Sequence, residues 1–230
     1  MKLSKRLETI ASFVHRGSKI ADIGTDHGYI PIYLAEKGTA VSAIARDVRT
    51  GPLKRAADHV REKGLEEKID LRLSDGLAEL LPGEADTVIM AGMGGGLSIH
   101  ILEEGRHMWE SVKHWLLSPQ SDIGEVRHFL ADNGFLIERE TMVKEEGKYY
   151  TVMEVCRGSM IYDRESDYRY GRCLIRDKNP VLAESLGKEK KALEEIGRAL
   201  AKQQSEKAKK RLIEISEKLE LIREVNNEMQ

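Results

Sequence analysis

Asp22-Ile23-Gly24-Thr25-Asp26-His27-Gly28-Tyr29 is the stretch on which the fold of this chain turns. It continues a strand-forming run, Lys19-Ile20-Ala21-Asp22-Ile23, and leads into a helical stretch from Tyr29 to about Lys37. A glycine-bearing turn between a strand and a helix is where open α/β sheets bind their ligands. Gly24 permits the tight turn and a close backbone approach, because a side chain there would collide with the ligand. The residues between the glycines narrow the ligand further. A dinucleotide-binding G-x-G-x-x-G turn has glycine at its middle position, where this chain has Asp26. A carboxylate in that place repels a pyrophosphate and tolerates a cation. A plainer reading stands beside this one: Asp26 and His27 cap the following helix.

Working outward, Ser4 caps a short amphipathic helix carrying Leu7, Ile10, Ala11 and Val14, and Gly17-Ser18 ends it. Downstream, Val41-Ser42-Ala43-Ile44-Ala45 reads as a second strand and Pro52 to Lys63 as a helix ended by Gly64. Ile69 to Leu73 and Asp86 to Met90 are a third and a fourth strand. Gly95 to Val112 is mainly helical, Trp115-Leu116-Leu117 is a fifth strand, and Ile123 to Asp132 is a helix closed by Asn133-Gly134. This alternation predicts a mostly parallel sheet covered on both faces. Phe135 to Val143 and Tyr149 to Val155 then flank Glu145-Glu146-Gly147-Lys148 as a hairpin. Five alternating units finished by an antiparallel hairpin resemble the seven-stranded class I Rossmann-like methyltransferase sheet.

The pattern changes after Gly158, so the expected domains are 1–158 and a helical 159–230. Residues 159–187 read as one or two short helices. From Lys188 to Gln230, Leu193, Ile196 and Leu200 form one stripe, and Leu212, Ile215, Leu219 and Ile222 another at coiled-coil-like spacing. The stripes are out of phase across Gln203-Gln204-Ser205, which predicts an antiparallel helix pair; a single kinked helix is the alternative.

Composition sets limits on function. The 230 residues are 40% hydrophobic and 33% charged, as in an ordinary globular protein. No apolar run approaches the ~20 residues that span a bilayer. The opening Met1-Lys2-Leu3-Ser4-Lys5-Arg6-Leu7-Glu8 has an acid too early for a secretory signal. With no signal, Cys156 and Cys173 read as thiols of a reducing compartment, and the expected location is cytoplasmic. The net charge of −2 conceals an asymmetry: residues 1–61 hold eleven Lys and Arg against six acids. That surplus suits a polyanionic partner, and equally an ordinary solvated surface.

The strand ends agree with the first turn. Asp47 follows Gly24 by 23 residues and ends the second strand, where an acid can accept bonds from ribose hydroxyls. Asp75-Gly76 ends the third strand, where a carboxylate could meet the exocyclic amine of adenine. The fourth strand ends in Ala91-Gly92-Met93-Gly94-Gly95-Gly96, bare enough to let a substrate approach. S-adenosylmethionine carries a sulfonium and an ammonium and has no phosphate, so this acidic set suits it. The expected cofactor-binding residues are Asp22, Gly24, His27, Gly28, Asp47, Asp75, Gly76, Ala91 and Gly92. His27, the other scattered histidines and two distant cysteines make no recognisable metal set.

Asp22-Ile-Gly-Thr-Asp-His-Gly-Tyr-Ile-Pro31, Ala91-Gly-Met-Gly-Gly95 and Leu117-Ser-Pro-Gln120 together resemble the bacterial TrmK family. The likeness covers residues 1 to about 158, and a helical C-terminal extension matches in kind. It implies methylation of N1 of adenine 22 in tRNA. The chemistry implied is an in-line displacement in which positioning and desolvation supply most of the acceleration. The product ring is cationic, so a nearby carboxylate would stabilise it; Asp26 is the candidate, as stabiliser or as base on N6. Tyr29 stacks on the extruded base or packs on its own loop. The basic N-terminal helix and the C-terminal helices are candidate tRNA contacts. Over residues 188–230, eleven Lys and Arg face nine acids, so self-packing or dimerisation competes; a monomer is expected. Competing functions are a small-molecule methyltransferase, a non-catalytic nucleoside-binding protein with a partner-docking helical domain and, least favoured, a NAD-dependent dehydrogenase.

Overall fold

The structure, a computed structural model, describes residues 2–203 and 205–230 and divides into two compact units, 1–161 and 162–230. The first unit is built on seven strands: β1 (Ser18–Ile23), β2 (Ala40–Asp47), β3 (Ile69–Leu73), β4 (Thr87–Ala91), β5 (His114–Ser118), β6 (Phe135–Glu145) and β7 (Lys148–Arg157). They form one sheet in the order β3-β2-β1-β4-β5-β7-β6. The strands β1 to β5 pair in parallel, whereas β7 runs antiparallel to both β5 and β6. This is the Rossmann-like methyltransferase sheet expected from the sequence. One detail differs from a hairpin simply added at the edge: its second strand, β7, is inserted between β5 and β6.

The first unit's helices are α1 (Lys5–Ser12), α2 (Tyr29–Glu36), α3 (Thr50–Glu62), α4 (Gly95–Glu104) and α5 (Ile123–Asp132). Ser4 caps α1 by accepting from Leu7 N, as its position predicts. Period-two alternation sends neighbouring strand residues to opposite faces. Ile20, Ala43, Ala45, Ile89, Leu116 and Val152 join one core with α1, α2 and α3. The alternate residues Val88, Met90, Trp115 and Leu117 are equally buried, so both faces are covered.

Element ends depart from the sequence pattern for local reasons. The β6–β7 turn is only Glu146-Gly147, with φ of 49° and 77° at the two residues. Positive φ at both central residues is the type I′ pattern, which matches strand twist and lets both strands run further than their apolar alternation suggests. The expected helix over 95–112 stops at Glu104, and a 3-10 turn follows at Arg106–Met108. Trp109 Nε1 donates to Leu102 O at 2.9 Å, satisfying a carbonyl that the broken helix leaves open.

The second unit contains α6 (Glu165–Tyr170), α7 (Arg172–Arg176), α8 (Pro180–Leu200) and α9 (Glu206–Met229). The two long helices pack together, and Gln204 in the expected turn lies outside the described residues. The first of them, α8, begins eight residues before Lys188. Asn179 accepts from Val181 N and Leu182 N, and Pro180 occupies the first turn, a start signal of known type. Leu182, Leu186 and Leu193 are therefore its buried stripe, and Ile196 is 45% exposed. Arg164 reaches Asp167 at 2.7 Å and Glu228 at 2.6 Å, which ties α6 to α9. No helix among the described residues is long and apolar enough to cross a membrane.

One buried ion pair joins α5 to β6: Arg127 Nε donates to Glu140 Oε1 at 2.8 Å, with side chains 1% and 0% exposed. Removing one member of such a pair strands the other charge, at a cost of about 3–5 kcal/mol. Glu140→Leu should destabilise the protein by about that amount, whereas Arg127→Met combined with Glu140→Leu should recover most of it. Denaturant unfolding of both variants checks this; equal stability of single and double variants would contradict it.

Candidate functional site

A cavity of about 300 Å³ opens at the C-terminal ends of β1 to β4. Its wall takes Gly24 from the first turn, Asp47, Val48 and Arg49 after β2, Ser74, Asp75 and Gly76 after β3, and Ala91, Gly92 and Met93 after β4. The helix α4 closes it with Leu97 and Ile101. Six of the eleven sequence-predicted site residues thus meet in one space: Gly24, Asp47, Asp75, Gly76, Ala91 and Gly92. The other five, Asp22, Asp26, His27, Gly28 and Tyr29, lie in or beside the first turn without lining the cavity.

The turn is shaped by backbone geometry. Gly24 and Gly28 have φ of 75° and 68°, and His27 shares the left-handed region at 60°. The N–H groups of Gly24 and Thr25 both donate to Arg46 O at 2.8 Å, which pins the loop to the end of β2. Gly28 is the N-cap of α2 and no side chain caps that helix, so neither Asp26 nor His27 serves the capping role. A β-carbon at Gly28 would press within 3.3 Å of Ala56 Cβ, which gives this glycine a packing duty against α3.

Asp22 is 6% exposed at the end of β1. Burial pushes its carboxyl up to about 6 and the Asp47 carboxylate adds to the rise, while the Thr25 hydroxyl pulls the other way. A buried acid in that state gains from any cation that reaches it. Asp47 is also buried; its Oδ1 accepts from Arg49 N at 2.8 Å and lies 3.3 Å from Arg49 Nε. Val48 and Leu97, by contrast, are 57% and 51% exposed although both line the cavity. Apolar walls left open between carboxylates match a flat aromatic ring flanked by polar groups. The donor set therefore fits a cation-bearing nucleoside.

Asp26 is largely exposed, 3.5 Å from Arg55 Nη2 and 3.3 Å from His27 Nε2. The rings of His27 and Tyr29 stack at 5.1 Å, and His59 stacks on both at 5.8 Å. His59 Nδ1 lies 3.0 Å from His27 O, which fixes the third ring to the loop. His59 was not singled out in the sequence, because it sits on α3, some thirty residues from its stacking partners. Arg6 is another residue that sequence reasoning left out of the site. Its Nη1 lies 3.5 Å from where a β-carbon on Gly92 would stand.

At the opposite edge of the sheet, His15, His114 and Glu154 bring ligand-type atoms within 4.8 Å of one another. Glu154 Oε1 meets His15 Nε2 at 2.6 Å and His114 Nδ1 at 3.0 Å, and Arg139 bonds Oε2. Burial alone would raise this carboxyl, but Arg139 and His15 outweigh it and hold it below the usual range.

A methyltransferase-domain family model matches residues 3–153, which places the first unit among the Rossmann-like methyltransferases. The likeness of particular proteins runs through both units. The tRNA (adenine(22)-N(1))-methyltransferase of Bacillus subtilis (strain 168) is 33% identical, over 98% of this chain and 97% of its own length. The crystal structure of the Bacillus subtilis M1A22 tRNA methyltransferase TrmK superposes with a TM-score of 0.87 at 32% identity, covering 97% of this chain and 98% of that one. TrmK of M. capricolum, solved with the cofactor product S-adenosyl-homocysteine, gives a TM-score of 0.87 at 26% identity over the whole of both chains. The chain belongs to the TrmK family.

The raised Asp22 carboxyl has a measurable consequence. Between its ordinary value of 3.8 and about 6, the folded chain keeps a proton that the unfolded chain has released. The contribution of this group to stability therefore falls as the pH rises through that window and is flat above it. Asp22→Asn should lack this component, on the order of 3 kcal/mol across the window. Thermal unfolding of the ligand-free proteins at pH 4.5 and pH 7 would refute it if the two difference curves coincide.

Proposed function

We propose that this chain transfers a methyl group from S-adenosyl-L-methionine to N1 of adenine 22 of tRNA. The observation that carries this reading is the cavity at the strand ends, acidic and open-walled, in a chain whose likeness to an enzyme of that name extends along 98% of its length. S-adenosyl-L-methionine, when bound, supplies a methyl group on an already activated sulfonium.

The residues of the chain divide the remaining work. Asp47 would accept hydrogen bonds from ribose hydroxyls, and Asp75 would meet the exocyclic amine of adenine. Val48, Leu97 and Ile101 would enclose the purine ring between them, and Val48 and Leu97 would gain the apolar burial that they lack in the ligand-free protein. Asp22 would favour a cationic group near the first turn, and His27 and Gly28 would hold that turn in shape. Ala91 and Gly92 leave the end of β4 bare, so a flat base can approach without a side chain in its way. Adenine N1 lies on the Watson–Crick edge, so the target base has to leave its stack first. Tyr29, already stacked with His27 and His59, offers an aromatic surface for it. Asp26, exposed beside that surface, would stabilise positive charge on the ring or take a proton from N6. A cytoplasmic monomer acting on tRNA, with a basic N-terminal segment against the polyanion, completes the reading.

Two measurements check it. Labelled methyl should pass from S-adenosyl-L-methionine to an unmodified tRNA transcript, with reverse transcription arrested at position 22, and replacement of adenine 22 should abolish transfer. Methylation elsewhere, or none, rejects the assignment. Asp26→Ala should keep cofactor affinity within a few-fold but lose about 10²-fold or more in turnover. Near-normal turnover would remove Asp26 from the chemistry.

A further inference from the structure

Arg6 belongs to the first turn of α1, yet its guanidinium ends at the C-terminal edge of the sheet. Its Nη1 is closed off from solvent and has no hydrogen-bond partner among the described residues. That nitrogen stands 3.5 Å, and Gln120 Nε2 stands 3.7 Å, from the position of a β-carbon built on Gly92. The side chain meets one aromatic ring and the backbone is anchored separately. Its Cζ lies 5.2 Å from the centroid of the Tyr150 ring, and Arg6 N donates to Glu145 Oε1 at 3.2 Å, anchoring the start of α1 to the end of β6. Ser118, register partner of Ala91, is buried at the same strand end, and its hydroxyl also lacks a partner.

An N–H of a guanidinium buried without an acceptor is costly, and the cost is recovered only when an acceptor arrives. The chain's own carboxylates at this edge are aligned with β1, β2 and β3, where they suit the hydrogen-bond donors and positive groups of a ligand. The negative oxygens of the reactants need a cation from elsewhere, and α1 brings one. We propose that Arg6 holds an oxyanion of a bound reactant beside Gly92, at the margin of the cavity. This rests on the methyltransferase reading. Two reactants offer such an oxygen: the methyl donor through its amino-acid carboxylate, and the RNA through a phosphate beside the target base. A guanidinium stays charged and presents forked donors that match either group. A ring nitrogen of the target adenine is a poor alternative, because the methylated ring becomes a cation.

The test uses the full chain with Arg6→Gln, Arg6→Lys and Gln120→Glu. The last sits on an exposed residue and sets a competing carboxylate near Nη1 without altering α1. Calorimetry with S-adenosylhomocysteine reads the carboxylate arm; binding of an unmodified tRNA transcript across a salt series reads the phosphate arm. For a carboxylate, Arg6→Gln and Gln120→Glu should raise the Kd for S-adenosylhomocysteine about tenfold or more, with the salt slope for tRNA unchanged. For a phosphate, the nucleoside affinity should stay and the slope of log K against log salt should fall by about one in Arg6→Gln, with Arg6→Lys retaining it. A misfolded Arg6→Gln leaves Gln120→Glu to report. Wild-type values in both assays for Gln120→Glu and for a folded Arg6→Gln overturn the role of Arg6 alone. A wild-type chain that binds neither ligand overturns the methyltransferase reading as well.

Discussion

Strand order reverses direction at β1, which pairs with β2 on one side and with β4 on the other. Because the crossover helices on either side of that point leave toward opposite faces, the loops diverge and a crevice opens between them. The sheet then fixes what stands around the crevice. Gly24 and Thr25 bond to the carbonyl of Arg46, Ser74 N bonds to Asp47 O, and Gly92 N bonds to Ser118 O. Each loop is thus fastened by its backbone to the end of a neighbouring strand. The acids and glycines at the edge are held by strand register more than by their own side-chain contacts, which is how an open cavity keeps its shape.

The two edges of the sheet treat buried carboxylates in opposite ways. At the N-terminal edge, Glu154 is hydrogen-bonded by Arg139 and His15 with His114 close by, and its charge is stabilised in place. At the C-terminal edge, Asp22 is buried close to Asp47 without such an ensemble, and its carboxyl is pushed up to about 6. The first arrangement is self-contained; the second is completed by a ligand. An orphaned arginine nitrogen and an orphaned serine hydroxyl beside Gly92 continue the same theme. Buried polar atoms without a partner among the described residues are found elsewhere too, at Trp115 Nε1 and Glu140 Oε2 for example, but Arg6, Thr25 and Ser118 bring three of them to the C-terminal edge.

Much of this was legible in one dimension. The cores of β1, β2, β4 and β5 follow from short apolar runs between glycines and helical stretches, because a strand buried on both faces needs little else. The hairpin and the C-terminal helix pair followed from period alone. Boundaries were less legible, since they depend on turn chemistry: Glu146-Gly147 makes a two-residue turn where four residues were expected, and Asn179-Pro180 starts α8 within a segment read as one or two short helices. In the site, the residues readable from spacing were those at strand ends. Arg6 and His59 carried no such signal, because each comes to the site from a helix whose own amphipathic pattern explains its presence.

The sequence by itself determined the class of sheet, the turn that opens its cavity and the acidic character of that turn, because these depend on local periodicity and on residue type at a strand end. Only the tertiary structure decided that β7 lies between β5 and β6, that Asp26 is an exposed neighbour of Arg55 and not a helix cap, and that Arg6 reaches Gly92. Those are long-range outcomes. They depend on which surfaces remain for burial once the sheet has assembled, and no window of adjacent residues contains that information.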